Sequence, residues 1–241
     1  MKTVDYIIFT INKLPKGYVF TYDDFITDVN KKEAVIKNLN RMATSGKIVK
    51  LSKGKFYKPE ETPFGTLQPN QKQIVKDLIE KDGKLMGYIT GFGIYNQLGF
   101  TTQLSNTIQI GKNETRPALK RGMYSVSFIK QKNTIVKENI PLLQLLDVIR
   151  FIRKIPDATL NDSCKRLQIL LADLSEQKQK TMIRLSRKYP PATRALLGAL
   201  LERLQTTVSL LDLKRSLNPI TVYKLSINES ILPTAPNWNI Q

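Results

Sequence analysis

The sequence predicts a helix-rich α+β fold in two parts, a small N-terminal unit closed by a hairpin and a larger mixed unit behind it. Three observations predict it. Between Val4 and Ala43 apolar residues recur at helical spacing, and a glycine stop and a basic hairpin follow. Thr107–Ile110 and Tyr124–Ile129 alternate apolar and polar residues, as strands of a small antiparallel sheet do. From Pro141 onward the apolar pattern returns to a helical period. A chain of 241 residues with 41% hydrophobic content has room for one large domain or two to three small ones with real cores.

Taken in order, Val4, Ile7, Ile8, Ile11 and Leu14 mark a first helix, stopped by Pro15-Lys16-Gly17. Tyr18-Val19-Phe20 reads as a brief strand. Thr21-Tyr22-Asp23-Asp24 resembles a capping box, with the acid three residues after the Thr. Phe25 and Val29 would carry a short second helix into the core. Asp23 and Asp24 are explained by capping rather than as a catalytic carboxylate pair. Val35, Leu39, Met42 and Ala43 then form the stripe of a third helix that stops at Ser45-Gly46. At about 100° per residue, Lys37, Asn40, Arg41 and Thr44 point away from that stripe. In the hairpin that follows, Ile48, Leu51 and Phe56 anchor the strands, Lys53-Gly54-Lys55 forms the tip, and Lys50, Lys53, Lys55 and Lys58 face outward. Helix, strand, helix, helix and hairpin within residues 1–58 is the order of a winged helix-turn-helix. Its third helix would enter the DNA major groove, Asn pairing with adenine edges and Arg with guanine edges, while the wing holds phosphates.

Residues 59–70 carry three prolines and a glycine and read as a linker. A larger unit over 71–241 follows. Ile74, Val75, Leu78 and Ile79 form one stripe, closed by Lys81-Asp82-Gly83-Lys84. A small sheet is expected over about 84–130, a helical part over about 140–215 and a tail over 226–241. Gly91 and Gly93 lack the strand and the following Lys-Ser or Lys-Thr of a phosphate loop, so they read as close-packing glycines. Leu142, Leu145, Leu146, Ile149 and Ile152 are core, leaving Arg150, Arg153 and Lys154 outside. A helix over 160–174 precedes a basic run, Pro190-Pro191 breaks it, and Ala195–Leu201 is core again. A short strand ends at Leu225, and the tail with the lone Trp238 is expected to pack across the surface. Lys178, Lys180, Arg184, Arg187, Lys188 and Arg194 form a cluster that either contacts nucleic acid or an acidic partner, or is simply a solvated face.

Composition narrows the chemistry. Lys plus Arg number 38 against 20 Asp plus Glu, a formal +18, which points to a polyanionic partner, nucleic acid above all. There is no His and one Cys, Cys164, so His-based acid–base catalysis, Cys–His dyads and the usual zinc sites are excluded, and no cofactor or metal is expected. Cys164 reads as a small buried hydrophobe. No segment approaches the roughly 18 consecutive apolar residues of a membrane span. Asp5 and the spaced apolar residues beside it do not make a signal peptide, so a cytoplasmic protein is expected.

The order G-Y-V-F-T-Y-D-D-F (Gly17 to Phe25), A-V-x-x-x-L-x-R-M-x-x-x-G-K-I (Ala34 to Ile48) and K-G-K-F-Y-K-P (Lys53 to Pro59) resembles the N-terminal domain of AbiEi-like type IV antitoxins. The likeness extends to Ile89–Gln103, Leu142–Asp157, Arg187–Glu202 and Leu217–Leu225. It implies a bacterial, operon-autorepressing transcriptional regulator that binds double-stranded operator DNA through the winged helix. The larger domain would counter a nucleotidyltransferase-like toxin, through the toxin itself or its nucleic-acid substrate. Lys32, Lys37, Asn38, Asn40, Arg41, Thr44, Lys50, Lys53 and Lys55 are the candidate DNA contacts. One departure is Asn38, which stands where a small apolar residue is usual; it is either half exposed and available to DNA or a weakness in helix packing. Two other classes stay open. One is a nucleic-acid-processing enzyme running on groups such as Asp82, Lys84 and Glu114, whose spacing matches no strong motif. The other is a basic protein-interaction module.

Overall fold

Ile7 and Ile11 lie one turn apart on the first helix, α1 (Thr3–Lys13), and both are buried, as their spacing requires. The structure is a computed structural model that describes residues 3–26 and 32–241. It is mixed α+β, 43% helical and 18% strand. The chain forms two units, Met1–Leu78 with Leu119–Tyr124, and Ile79–Ala118 with Ser125–Gln241.

In the first unit Gly17, at φ +73°, turns the chain from α1 into β1 (Val19–Thr21). The Asp24 carboxylate accepts from the Thr21 amide at 2.7 Å and the Thr21 hydroxyl at 3.2 Å, which is the return half of a capping box. What it opens within the described residues is one 3-10 turn, Asp23–Phe25, with Phe25 buried. The expected role of Val29 lies outside the described residues. Helix α2 (Lys32–Thr44) buries Val35, Leu39 and Met42. Its end is a Schellman turn: Gly46 sits at φ +75°, and the Lys47 amide donates to the Met42 carbonyl at 3.0 Å. Strands β2 (Val49–Ser52) and β3 (Lys55–Tyr57) meet at Lys53-Gly54, with Gly54 at φ +72°. Antiparallel pairing gives the order β1-β3-β2. Phe20 stands edge-on to Phe25 at 5.4 Å and stacks on Phe56 at 6.3 Å, closing the core over Leu39.

Leu39 is fully buried. Leu39→Ala is expected to cost about 2–5 kcal/mol, the range for truncating a buried leucine. Urea unfolding of the full chain, followed by far-UV circular dichroism, measures it; an unchanged midpoint for the first unit would show that Leu39 does not hold that core.

Beyond Tyr57 the chain does not run free. The expected linker contains the antiparallel hairpin β4 (Glu60–Thr62) and β5 (Gly65–Leu67), followed by the short helices α3 (Gln71–Ile74) and α4 (Lys76–Ile79). The Gln73 amide oxygen accepts from the Val19 amide at 3.3 Å, tying α3 to β1. The unit boundary therefore falls near residue 78 rather than at 58–70, because side chains too far along the chain for a local reading hold the segment in place.

The second unit starts with a tight hairpin, β6 (Glu80–Lys81) and β7 (Lys84–Leu85), whose Asp82-Gly83 turn has φ of 50° and 73°. The strand β8 (Gly87–Thr90) leads through Gly91 into α5 (Phe92–Gln97) and then β9 (Thr107–Lys112). Gly91 is a packing glycine: φ is +68°, and a Cβ there would meet the Gln109 side chain at 1.8 Å. The chain then contributes β10 (Leu119–Arg121) to the first unit, where the Gly122 amide donates to the Leu51 carbonyl at 3.0 Å. It comes back as β11 (Tyr124–Lys130). The two strands predicted from alternation, β9 and β11, pair parallel, and the antiparallel partner of β9 is β8. Alternation fixes which faces are buried but not strand direction.

Helices α6 (Ile140–Arg150), α7 (Leu160–Ala172), α8 (Glu176–Ser186) and α9 (Pro191–Arg203) form the main core, with α10 (Leu211–Arg215) after them. Helix α9 is apolar nearly all round and buried from Ala195 to Leu201. Cys164 on α7 is fully buried, and burial pushes its thiol up to about 12. The C-terminal tail is core rather than surface cover. Trp238 is buried, its ring lies where a Cβ at Gly198 would stand at 2.3 Å, and its indole N–H donates to Glu202. The short strand expected to end at Leu225 is reduced to a bridge between Tyr223 and Ile240.

Candidate nucleic-acid interface

The buried stripe of α2 decides which of its residues face water. Lys32, Lys37, Asn40, Arg41 and Thr44 are exposed, with Lys37 and Arg41 four residues apart and therefore one above the other. The Thr44 hydroxyl donates back to the Asn40 carbonyl at 3.1 Å, and the Lys32 ammonium lies 5.2 Å from the Tyr22 ring centre. Asn38 is half-buried and engaged within the helix: its amide donates to the Ala34 carbonyl at 2.9 Å and accepts from the Arg41 guanidinium at 3.1 Å. It acts as a brace for Arg41 rather than a free reader. In the hairpin, Lys50 and Lys53 are exposed, and so is Lys47, which no periodic pattern singles out because it sits in the turn between the two elements. Among the described residues, none of Lys32, Lys37, Arg41, Lys47, Lys50 and Lys53 has a carboxylate within ion-pair distance.

Two hairpin lysines are not available as expected. Lys55 pairs with Asp77 at 3.0 Å and its side chain is only 17% exposed. Lys58 donates to the carbonyls of Asn12 and Leu14 at 2.8 and 2.9 Å, satisfying the open C-terminal end of α1. Both partners come from distant parts of the chain. Asp77 also receives both terminal nitrogens of Arg121, at 2.5 and 2.8 Å, and Arg121 donates to the Ile74 carbonyl at 2.6 Å. Burial pushes the Asp77 carboxyl up, but Arg121 and then Lys55 outweigh it and hold the group below the ordinary carboxylate range. The stability Asp77 contributes is therefore present above the ordinary Asp value and is lost as pH falls through the lowered one. Asp77→Asn is expected to be less stable at neutral pH and to lose stability less steeply on acidification below about 4. Urea midpoints measured from pH 6 to pH 2.5 test this; parallel curves for the two proteins would remove Asp77 as an acid-sensitive tie.

The second expected cluster divides. Lys178 and Arg184 are exposed, and Lys180 pairs with Glu176 at 2.7 Å one turn back. Arg194 is half-buried and donates to the Ser216 carbonyl at 2.9 Å, just past the end of α10, so it is structural rather than a surface cation. Arg187 and Lys188 remain, and they border a cleft of about 490 Å3 that also takes in Lys130, Lys132 and Arg150.

The floor of that cleft belongs to a buried polar network around Asp147, which helical periodicity does not single out. Asp147 is 2% exposed and accepts from Tyr88 at 2.7 Å, Thr90 at 2.9 Å and Tyr189 at 2.9 Å. Gln131 donates to both tyrosine hydroxyls at 2.8 Å and accepts from Asn133. Burial pushes the Asp147 carboxyl up, only partly offset by those hydroxyls and by nearby Arg150. Tyr189 is pushed up by burial and then by the Asp147 charge, so it stays a neutral donor. The signal in the sequence was a lone acid inside an apolar stripe, at a position whose neighbours Leu146 and Val148 are also buried. Among the described residues no three carboxylate or thiol groups gather as a metal ion would need, and Asp82, Lys84 and Glu114 stand on exposed turns and strand ends. Among the described residues, no helix is long and apolar enough to cross a membrane.

The geometry defines a mixed α+β protein whose smaller unit presents exposed cations on a helix and a hairpin and whose larger unit holds a basic cleft over a buried polar network. The chain belongs to the Family of unknown function (DUF6088), whose model matches residues 6–183. In fold it is similar to the crystal structure of the RV2827C protein from Mycobacterium tuberculosis, with a TM-score of 0.64 and 13% identity over 100% of this chain and 91% of that one. No curated protein matches the sequence.

Proposed function

We propose that this chain is a DNA-binding transcriptional regulator of the AbiEi-like antitoxin type, acting in the bacterial cytoplasm on the operator of its own operon. Residues up to Tyr57 serve as a winged helix, with α2 in the major groove and the β2–β3 hairpin as the wing. The second unit counters a nucleotidyltransferase-like toxin. The observation that carries the DNA-binding part is the set of exposed, carboxylate-free cations on α2 and the hairpin, Lys37 and Arg41 above all, over a fully buried stripe. Phosphate contacts by these cations supply most of the affinity, and Asn40 and Arg41 supply sequence choice. Asn38 contributes by fixing the Arg41 side chain, and Lys55 by tying the tip end of the hairpin to Asp77.

The test is a mobility-shift titration against the DNA upstream of the gene, with and without magnesium. A specific, salt-dependent and magnesium-independent shift is expected. Magnesium-dependent loss of intact DNA would instead favour a nucleic-acid-processing enzyme, and the absence of any shift at 50 mM salt would overturn the DNA-binding reading.

A further inference from the structure

The cleft at the α8–α9 junction is built differently from a solvated charged surface. Five cations, Lys130, Lys132, Arg150, Arg187 and Lys188, border it, and its lining contains no carboxylate. None of the five has an acidic partner within ion-pair distance among the described residues, and the polar contacts of Lys188 and Arg150 stay on the rim itself, to the Lys132 carbonyl at 3.2 Å and the Lys130 carbonyl at 3.5 Å. Lys130, Lys132, Arg187 and Lys188 are exposed, while Arg150 is half-buried, with its guanidinium 4.8 Å from the Phe151 ring centre. Gln131 and Tyr189, 3% and 6% exposed, form a floor whose hydrogen bonds are all directed inward. Five like charges around one concavity repel one another, and in the absence of acidic partners an anion in the cleft relieves that repulsion.

A second cleft of about 500 Å3 shares Arg150 with the first and is also lined by Arg153, Lys154 and Lys224 along with Phe151 and Tyr223. Eight cations border the two clefts, a track with Arg150 common to both and with more charge than one phosphate group balances. Phe151, half-exposed in the second cleft, offers a ring beside these cations on which an unpaired base can stack, a contact that the paired bases of a B-form duplex do not offer. We propose that this track is a binding site for the phosphodiester backbone of a single nucleic-acid strand, with Lys132, Arg150 and Arg187 as its principal contacts. The site is independent of duplex recognition by the first unit. It gives the second unit a ligand of its own, and electrostatic contact of this kind tolerates any base sequence.

The test uses the full chain and a labelled oligo(dT) 20-mer, which cannot form a duplex, in fluorescence anisotropy from 50 to 200 mM salt. The Lys132→Ala/Arg187→Ala variant is expected to bind it at least tenfold more weakly, with a salt slope smaller by about 1.4, the value for two lost contacts on a single strand. Its affinity for upstream duplex DNA should be unchanged, and Lys37→Ala/Arg41→Ala should show the reverse pattern. Lys130→Ala, in which an exposed side chain is trimmed, gives a second reading should the double variant melt early. Unchanged oligo(dT) affinity in both variants would overturn the site. So would an equal loss on duplex DNA, which would indicate a general charge effect. Competition by inorganic phosphate or thymidine monophosphate as effective as the 20-mer at equal phosphate concentration would replace the strand with a small anion.

Discussion

Replacing Lys37 and Arg41 together by alanine is expected to weaken binding to upstream duplex DNA on the order of a hundredfold and to flatten the salt dependence by about 1.8 in slope. The slope is that of two lost phosphate contacts, and a hundredfold loss corresponds to about 1.4 kcal/mol for each of them. Both side chains are exposed, so thermal stability should stay within about 0.5 kcal/mol of the parent. Lys53→Ala in the β2–β3 hairpin should act in the same direction with a slope change near 0.9, as one phosphate contact does. Lys55→Ala is the informative contrast. Its ammonium is committed to Asp77, so the loss should fall on stability before it falls on the salt slope. Affinity unchanged in the Lys37/Arg41 variant would separate the basic helix from DNA binding altogether.

The second large effect concerns Asp147. Asp147→Ala strands the hydroxyls of Tyr88, Thr90 and Tyr189 in a dry interior and should destabilise the second unit by about 3–5 kcal/mol. Trp238 is the only tryptophan and is buried in that unit, so its fluorescence reports unfolding there without interference from the first. The pH dependence is opposite in sign to that of Asp77. A carboxyl whose folded value is raised contributes most below the ordinary Asp value, and that contribution is lost as pH rises through the raised one. Asp147→Asn should therefore lack the decline that the parent shows as pH rises from about 4. A parent midpoint that is flat over this range, or an alanine variant as stable as the parent, would show that the network does not hold the unit together.

Much of the architecture was legible before any coordinates. The stripe Val35, Leu39 and Met42 gave the register of α2, and with it the outward positions of Lys37, Asn40, Arg41 and Thr44, because a 3.6-residue period leaves one consistent choice of buried face. Gly46 and Gly54 marked two turns, since left-handed backbone favours a residue without Cβ. The all-apolar run from Ala195 to Leu201 announced a buried helix in the same way.

What the sequence by itself determined is thus the set of properties that depend on local periodicity and turn chemistry: element types, buried faces, and a strongly cationic surface. Only the tertiary structure decided which charges are free. Lys55 meets Asp77, Lys58 meets the end of α1, and Arg194 meets the end of α10, and each pairing joins residues more than 20 positions apart. The tertiary structure also set the parallel direction of β9 and β11, buried Trp238 against Gly198, and gathered Lys130, Lys132, Arg150, Arg187 and Lys188 around one cleft. Periodicity reports which side of an element is apolar. The identity of the group across from a given side chain depends on how distant segments pack, and no local pattern encodes that.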